Sequence, residues 1–203
     1  MALTDGIRNI VFDLGGVVVD IDLNRTFDQM KALGVPDLAP YVSKYSGGGF
    51  AEAFQTGHLS EQGFVEHLCQ LAGRPLPYDE VERAWNAMIL EYEPDRIHRL
   101  RSLKSRYRTF VLSNTNVMHH RDFAFRVPGE SDLRNLFEKV YYSHEIGLSK
   151  PSPESYLYVM HDAGLLPEDT LFLDDSADNV AAAQALGMRA RQVTYGREWL
   201  EWL

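Results

Sequence analysis

Short apolar runs ending in polar residues alternate along this chain with longer stretches of helical periodicity. Asn9-Ile10-Val11-Phe12 reads as a buried strand, because its β-branched and aromatic residues suit a pleated, enclosed surface. The same pattern predicts strands at 109–112, 139–142, 171–173 and 190–193. Between 22 and 92 no strand is expected and the apolar spacing is helical. Asp22 suits the start of a helix over 23–33 that Gly34 closes. Short helices are expected over 38–43 and 50–55. Ser60 caps another, with Phe64, Leu68 and Leu71 on its apolar face and Gly73 as its stop, and 78–92 reads as helix. Ser46-Gly47-Gly48-Gly49 has the composition of a flexible joint.

From residue 93 onward helices and strands alternate. Helices are predicted over 94–105, 132–137 and 179–186, after Lys150-Pro151 as far as Gly164, and around Trp199 and Trp202 at the end. A less regular helical stretch follows Asn116. Such alternation predicts an α/β fold, a Rossmann-like parallel sheet joined by right-handed crossovers. The all-helical stretch lies between the first and second strands. This placement predicts a core of residues 1–20 and 93–203, with residues 21–92 inserted as a small helical cap over the C-terminal edge of the sheet.

Composition narrows the class without choosing a function. Of 203 residues, 45% are hydrophobic and 24% charged, as expected of a soluble globular protein. No apolar run is long enough to cross a bilayer, and the first residues lack the basic and apolar regions of a signal peptide. A lone cysteine, Cys69, fits a reducing, cytoplasmic setting and reads as a core residue of its helix. The formal charge of −9 argues against a nucleic-acid partner. It leaves room for an anionic small molecule, because backbone N–H groups, one lysine and a metal ion can reverse the sign of a pocket.

The polar residues at the strand ends carry the chemistry. Asp13 follows the first strand, Ser113 and Asn114 the second, Lys150 comes soon after the third, and Asp174 and Asp175 follow the fourth. All strands of a parallel sheet present these ends along one edge, where ligands of open α/β sheets bind. Gly15 and Gly16 let the chain turn sharply beside Asp13 and bring bare backbone close to whatever that carboxylate faces. Singly, each residue is an ordinary cap or helix start; the set of four in this order points to a site.

On these residues the chain resembles the haloacid dehalogenase superfamily of hydrolases and phosphotransferases. Phe12-Asp13-Leu14-Gly15-Gly16-Val17 is similar to its first motif and Leu112-Ser113-Asn114 to its second. Gly147-Leu148-Ser149-Lys150-Pro151 resembles the third, and Leu173-Asp174-Asp175-Ser176-Ala177-Asp178-Asn179 the fourth. The stretch from Asp13 to Asp20, with Ser113-Asn114-Thr115-Asn116, looks closest to a bacterial branch that includes α-D-glucose-1-phosphate phosphatases. The resemblance implies a phosphomonoester hydrolase of small phosphorylated metabolites, with Asp13 attacking phosphorus to give an aspartyl-phosphate. It implies Mg²⁺ on Asp13, the Gly15 carbonyl and Asp175, with Asp174 in or near that shell. Ser113 and N–H groups including that of Asn114 would hold the phosphoryl oxygens, and Lys150 would neutralise charge. Asp178 would steady Lys150 or a water on the metal.

Many phosphatases of the superfamily carry a second aspartate two residues after the nucleophile, as general acid and base; here that position is Gly15. The loss favours leaving groups that need little protonation, such as the anomeric oxygen of a sugar-1-phosphate. Asp20, Asp22, His58, His119 and His120 are the remaining polar candidates for activating water, and Phe50, Phe54 and His58 for meeting substrate from the cap. Two other readings use the same residues. A carbon–halogen hydrolase would use Asp13 without a metal, and a phosphate-ligand-binding module would have lost turnover with the missing acid.

Overall fold

A computed structural model describes residues 3–36, 38–42 and 49–203. Most of the joint expected at 46–49 lies outside them. Five parallel strands form one sheet in the order β3-β2-β1-β4-β5: β1 (Asn9–Phe12), β2 (Arg108–Ser113), β3 (Lys139–Tyr142), β4 (Thr170–Asp174) and β5 (Arg189–Gln192). The first four have buried interiors, as their near-continuous apolar sequences require of a sheet covered on both faces. β5, with Arg189, Arg191 and Gln192, is a half-exposed edge strand whose polar side chains discourage further pairing.

Before β2 come α1 (Leu23–Ala32), α2 (Ala39–Val42), α3 (Phe50–Gln55), α4 (Glu61–Ala72), α5 (Tyr78–Asn86) and α6 (Pro94–Leu103). After β2 come α7 (Val117–Phe123), α8 (Ser143–Ile146), α9 (Pro153–Ala163), α10 (Ala177–Ala185) and α11 (Trp199–Trp202), with 3-10 turns at Leu133–Leu136 and Pro167–Asp169. The helix starts follow local chemistry. Asp22 accepts from the Asn24 N–H at 3.1 Å and Ser60 from the Gly63 N–H at 3.1 Å, relieving otherwise unpaired first-turn donors.

Alternate residues of each strand serve opposite layers. Ile10, Phe12, Val111, Val140, Tyr142, Leu171 and Leu173 pack with α6, α11 and the 3-10 turn before β3. Val11, Phe110, Leu112, Tyr141 and Phe172 pack with α9 and α10. A third cluster gathers Met30, Phe54, Phe64, Leu68, Val81 and Trp85 from α1, α3, α4 and α5, and Met118 of α7 reaches into it. Phe54 stacks on Phe64 at 4.2 Å and Phe50 packs on Phe64 and His67, so both phenylalanines serve this cluster. Cys69 packs beside it, and its sulfur accepts from the Leu76 N–H at 3.3 Å.

Two helical expectations differ from what forms. The helix expected over 78–92 stops at Asn86. Residues beyond it pair instead with the chain leaving β1: Asp22 N–H donates to Met88 O, Leu90 N–H donates to Asp20 O, and Ile21 bridges Ile89. The stretch after Asn116 is a regular helix, because the Asn116 side chain caps it through the His119 N–H at 3.1 Å.

Candidate active site

Strand pairing brings the C-terminal ends of β1, β2 and β4 together. Phe12 is level with Val111 and with Leu173, so Asp13 emerges between Leu112 and Asp174. The Asp13 N–H donates to Leu173 O at 2.7 Å, which fixes its backbone against β4. Beyond it, residues 14–19 close on themselves: the Gly16 N–H donates to Val19 O, and the Val18 and Val19 N–H groups to Leu14 O. Gly16 has φ of +76°, and a Cβ there would lie 2.8 Å from Asp175 Oδ2. Only a residue without a side chain allows both the left-handed turn and this approach of backbone to carboxylate.

Lys150 joins the acids. Its Nζ donates to Asp13 Oδ1 at 2.8 Å and to Asp174 Oδ2 at 2.6 Å, with its side chain almost wholly enclosed. Asp174 is fully buried and accepts also from the Ser176 N–H at 2.8 Å and from Asn179 Nδ2 at 2.9 and 3.0 Å. These donors aim one face of Asp174 at the ammonium. Carboxylate oxygens of Asp13, Asp174 and Asp175 lie within 4.8 Å of one another.

Three carboxylates and one ammonium meet here in a mostly buried space. The Asp13 carboxyl responds to all of them. Burial pushes it up, Lys150 pulls it down, and Asp174 and Asp175 push it up again, to about 7. Burial alone would lower the Lys150 ammonium, but the facing carboxylates outweigh it and hold it above the usual lysine range. The clustered carboxylates, the all-oxygen donors and the partly open Asp175 suit a hard divalent cation.

The second motif holds the third in place. Asn114 Nδ2 donates to Lys150 O at 2.7 Å, and the Lys150 N–H returns a bond to Asn114 Oδ1 at 2.9 Å. The Asn114 side chain thus fixes the backbone from which the ammonium extends. Ser113 is buried at the end of β2. Sequence reasoning missed Asn179, which contacts Asp174 while its neighbour Asp178 is exposed. It also missed Ser143, a buried hydroxyl at the same sheet edge. The available signal was position, since Ser143 directly follows β3 as Ser113 ends β2.

The polar residues considered for activating water have partners of their own. Asp20 accepts from Arg96 at 2.8 Å, Asp22 caps α1, and exposed His58 faces the Thr56 hydroxyl at 2.9 Å. His119 Nε2 is 3.1 Å from Trp85 O and its Nδ1 3.1 Å from Asn116 Nδ2, so the ring donates from Nε2 and accepts at Nδ1. Burial lowers its pKa to about 4 and keeps it neutral. His120 groups with His144 and Glu145, and Arg134 donates to that glutamate at 2.6 Å.

Comparison with known proteins shows the family. The haloacid dehalogenase-like hydrolase family matches residues 7–187. The D-ribitol-5-phosphate phosphatase of Bacteroides thetaiotaomicron is 32% identical over 95% of both chains. A solved structure from that organism is a haloacid dehalogenase family enzyme, an aspartate-to-alanine variant in complex with magnesium and inorganic phosphate. It superposes with a TM-score of 0.90 at 28% identity, covering 95% of this chain and 96% of its own. A haloacid dehalogenase-like hydrolase from Porphyromonas gingivalis gives 0.89 at 34% identity, covering 96% and 95%. With the family pattern spanning nearly all of the sheet and the helical segment between β1 and β2, this chain belongs to the haloacid dehalogenase-like hydrolases.

Proposed function

We propose that the protein is a Mg²⁺-dependent phosphomonoester hydrolase of small phosphorylated metabolites, with residues 21–92 acting as the specificity cap of a core formed by 1–20 and 93–203. The observation that carries this reading is Lys150 Nζ held between Asp13 and Asp174, with Asp175 beside them. In the proposed reaction an Asp13 carboxylate oxygen attacks phosphorus, the P–O bond to the leaving oxygen breaks, and water then hydrolyses the aspartyl-phosphate. Asp13, Asp175 and the Gly15 carbonyl would hold the cation, with Asp174 at its edge fixing Lys150. When bound, Mg²⁺ supplies positive charge that lets a phosphate dianion approach a carboxylate. Lys150 offsets charge on Asp13 and the phosphoryl oxygens. Ser113 and the N–H of Asn114 bind those oxygens, and the Asn114 side chain keeps Lys150 in register.

The leaving group guides the choice of substrate. Gly15 offers no side chain to protonate it, and general acid catalysis is typically worth about 10²–10⁴-fold. An anomeric oxygen leaves more readily than a primary alkoxide, which favours a sugar-1-phosphate such as α-D-glucose-1-phosphate and the corresponding branch of the family. Similarity to a D-ribitol-5-phosphate phosphatase favours a second reading, an open-chain polyol phosphate. A panel with equal Mg²⁺ compares glucose-1-phosphate, glucose-6-phosphate and ribitol-5-phosphate. Preference for the first supports the leaving-group argument, and preference for either of the others refutes it.

Chemistry itself is tested with p-nitrophenyl phosphate. Release of phosphate should require Mg²⁺, stop with EDTA and fall at least about 10³-fold in Asp13→Asn, which removes the nucleophile. Turnover of 2-chloropropionate that survives EDTA would instead identify a carbon–halogen hydrolase. Tight phosphate binding without turnover would identify a binding module.

A further inference from the structure

Ser143 is fully buried, and its hydroxyl has three neighbours. It accepts from the Thr115 N–H at 2.8 Å, and its oxygen lies 2.6 Å from Gln55 O and 2.9 Å from Thr115 O. A hydroxyl carries one proton, so only one of these two carbonyls is served at a time. Gln55 ends α3, in the helical segment between β1 and β2, whereas Thr115 lies in the loop that follows Ser113 and carries Asn114. Thr115 O has a second donor within reach, His144 Nδ1 at 3.2 Å, and therefore keeps a partner when the Ser143 proton points to Gln55. Gln55 O has the shorter contact with Ser143.

The chain beside Gln55 is pressed against the same place. Gly57 has φ of +73°, and a Cβ there would lie 2.4 Å from His144 O. Backbone thus meets backbone at 55–57 and 143–144, with the Ser143 hydroxyl at the junction.

We infer that Ser143 is a positioning residue that couples the seating of α3 to the order of the 113–116 loop. With α3 seated, the proton bonds Gln55 O, and the hydroxyl oxygen holds the Thr115 N–H. With α3 lifted, the hydroxyl loses its Gln55 acceptor and is no longer fixed in one rotamer, so the oxygen that holds the Thr115 N–H is free to turn and that bond weakens. The loop loses its tie to α3 in that state. Its neighbour Asn114 holds the Lys150 backbone, so the seating of α3 reaches the ammonium through covalently adjacent residues. The catalytic meaning of this coupling rests on the phosphatase reading above; the coupling itself does not.

Amide hydrogen exchange of the full chain tests it. Gly57→Ala touches no residue of the loop, yet should speed exchange across 113–117 at least about tenfold, together with exchange across 50–57. Ser143→Ala should speed the same loop. The double variant should exchange there no faster than Ser143→Ala, because the link is already cut. A loop that keeps its original rate while 50–57 opens in Gly57→Ala overturns the inference, as does a multiplicative effect in the double variant. Circular dichroism checks that each variant is folded. If Gly57→Ala is not, Gln55→Gly loosens the acceptor carbonyl without a clash and is held to the same two outcomes. Because exchange needs no turnover, full p-nitrophenyl phosphatase activity in Asp13→Asn would defeat the phosphatase reading and leave this result standing.

Discussion

At the scale of single residues, the site sets function against stability. Asp13 is buried beside two other carboxylates, and burial and those neighbours raise its carboxyl to about 7 although Lys150 pulls it down. Asp13→Asn keeps the shape and an acceptor for Lys150 but removes one negative charge. In EDTA the variant should therefore melt higher than the parent by about 2–8 °C, since 1 kcal/mol shifts a chain of this size by about 2–4 °C. Differential scanning calorimetry measures it, and an equal or lower melting temperature would show that Lys150 already balances the acids. Adding Mg²⁺ should raise the parent more than the variant. Gly16→Ala makes the complementary change. Its methyl meets Asp175 Oδ2 at 2.8 Å, and φ of +76° costs a residue with a Cβ about 1–2 kcal/mol. The Mg²⁺ concentration giving half-maximal activity should rise at least about tenfold, read from a metal titration; an unchanged midpoint would separate Asp175 from metal binding.

At the scale of elements, the C-terminal α11 is a clamp on the loop after β1. Trp199 is fully buried, its Nε1 donates to Val17 O at 3.0 Å, and its ring meets Phe12 edge-on at 5.3 Å. Trp199→Ala should cost about 3–5 kcal/mol from lost burial and the cavity left. Trp199→Phe should recover much of that while leaving Val17 O unpaired. Urea unfolding of both variants separates packing from the hydrogen bond. From the sequence, Trp199 was legible as a large apolar residue but not as core or contact, because nothing local tells α11 where to dock. β1 to β4 were legible because burial on both faces writes itself into apolar runs. The caps at Asp22 and Ser60 were legible because capping is local. The early stop at Asn86 was not, since its cause is pairing with residues 20–22, more than sixty positions away. For the same reason the sequence showed that Asp13, Lys150, Asp174 and Asp175 belong together, but not that Asn114 and Asn179 hold them in place.

Across the whole molecule, α7 fastens the α1–α5 cluster to the sheet. Met118 sits in that cluster's core, and the His119 ring stacks on Trp85 at 5.2 Å. Arg121 bonds Glu61, Glu82 and the Tyr78 hydroxyl. Since α7 follows the Ser113-Asn114-Thr115-Asn116 stretch directly, this seam and the Ser143 junction grip the loop from two sides. The seam requires a neutral His119: a proton on Nδ1 would face the Asn116 amide group, which already donates to that nitrogen. Burial lowers this pKa from an ordinary value near 6.5 to about 4. Above pH 6.5 the ring is neutral whether the chain is folded or unfolded, and the full stability is present. As pH falls from 6.5 towards 4, the unfolded chain takes up a proton that the folded chain refuses, so stability declines. Below about pH 4 this residue adds no further loss. The slope is at most about 1.4 kcal/mol per pH unit, and the total is on the order of 3 kcal/mol. Burial also lowers His120 and His144, which contribute with the same sign. Asp13, whose carboxyl is pushed up to about 7, acts with the opposite sign over the same window, so the histidine share is read from urea unfolding at pH 7 and pH 5 as the difference between the parent and a His119 variant. His119→Phe keeps a flat ring against Trp85 but cannot titrate, so it should be less stable than the parent at pH 7 and lose less on acidification. If the variant keeps the parent's whole pH dependence, the proton uptake lies elsewhere and the neutral-imidazole account of the seam fails.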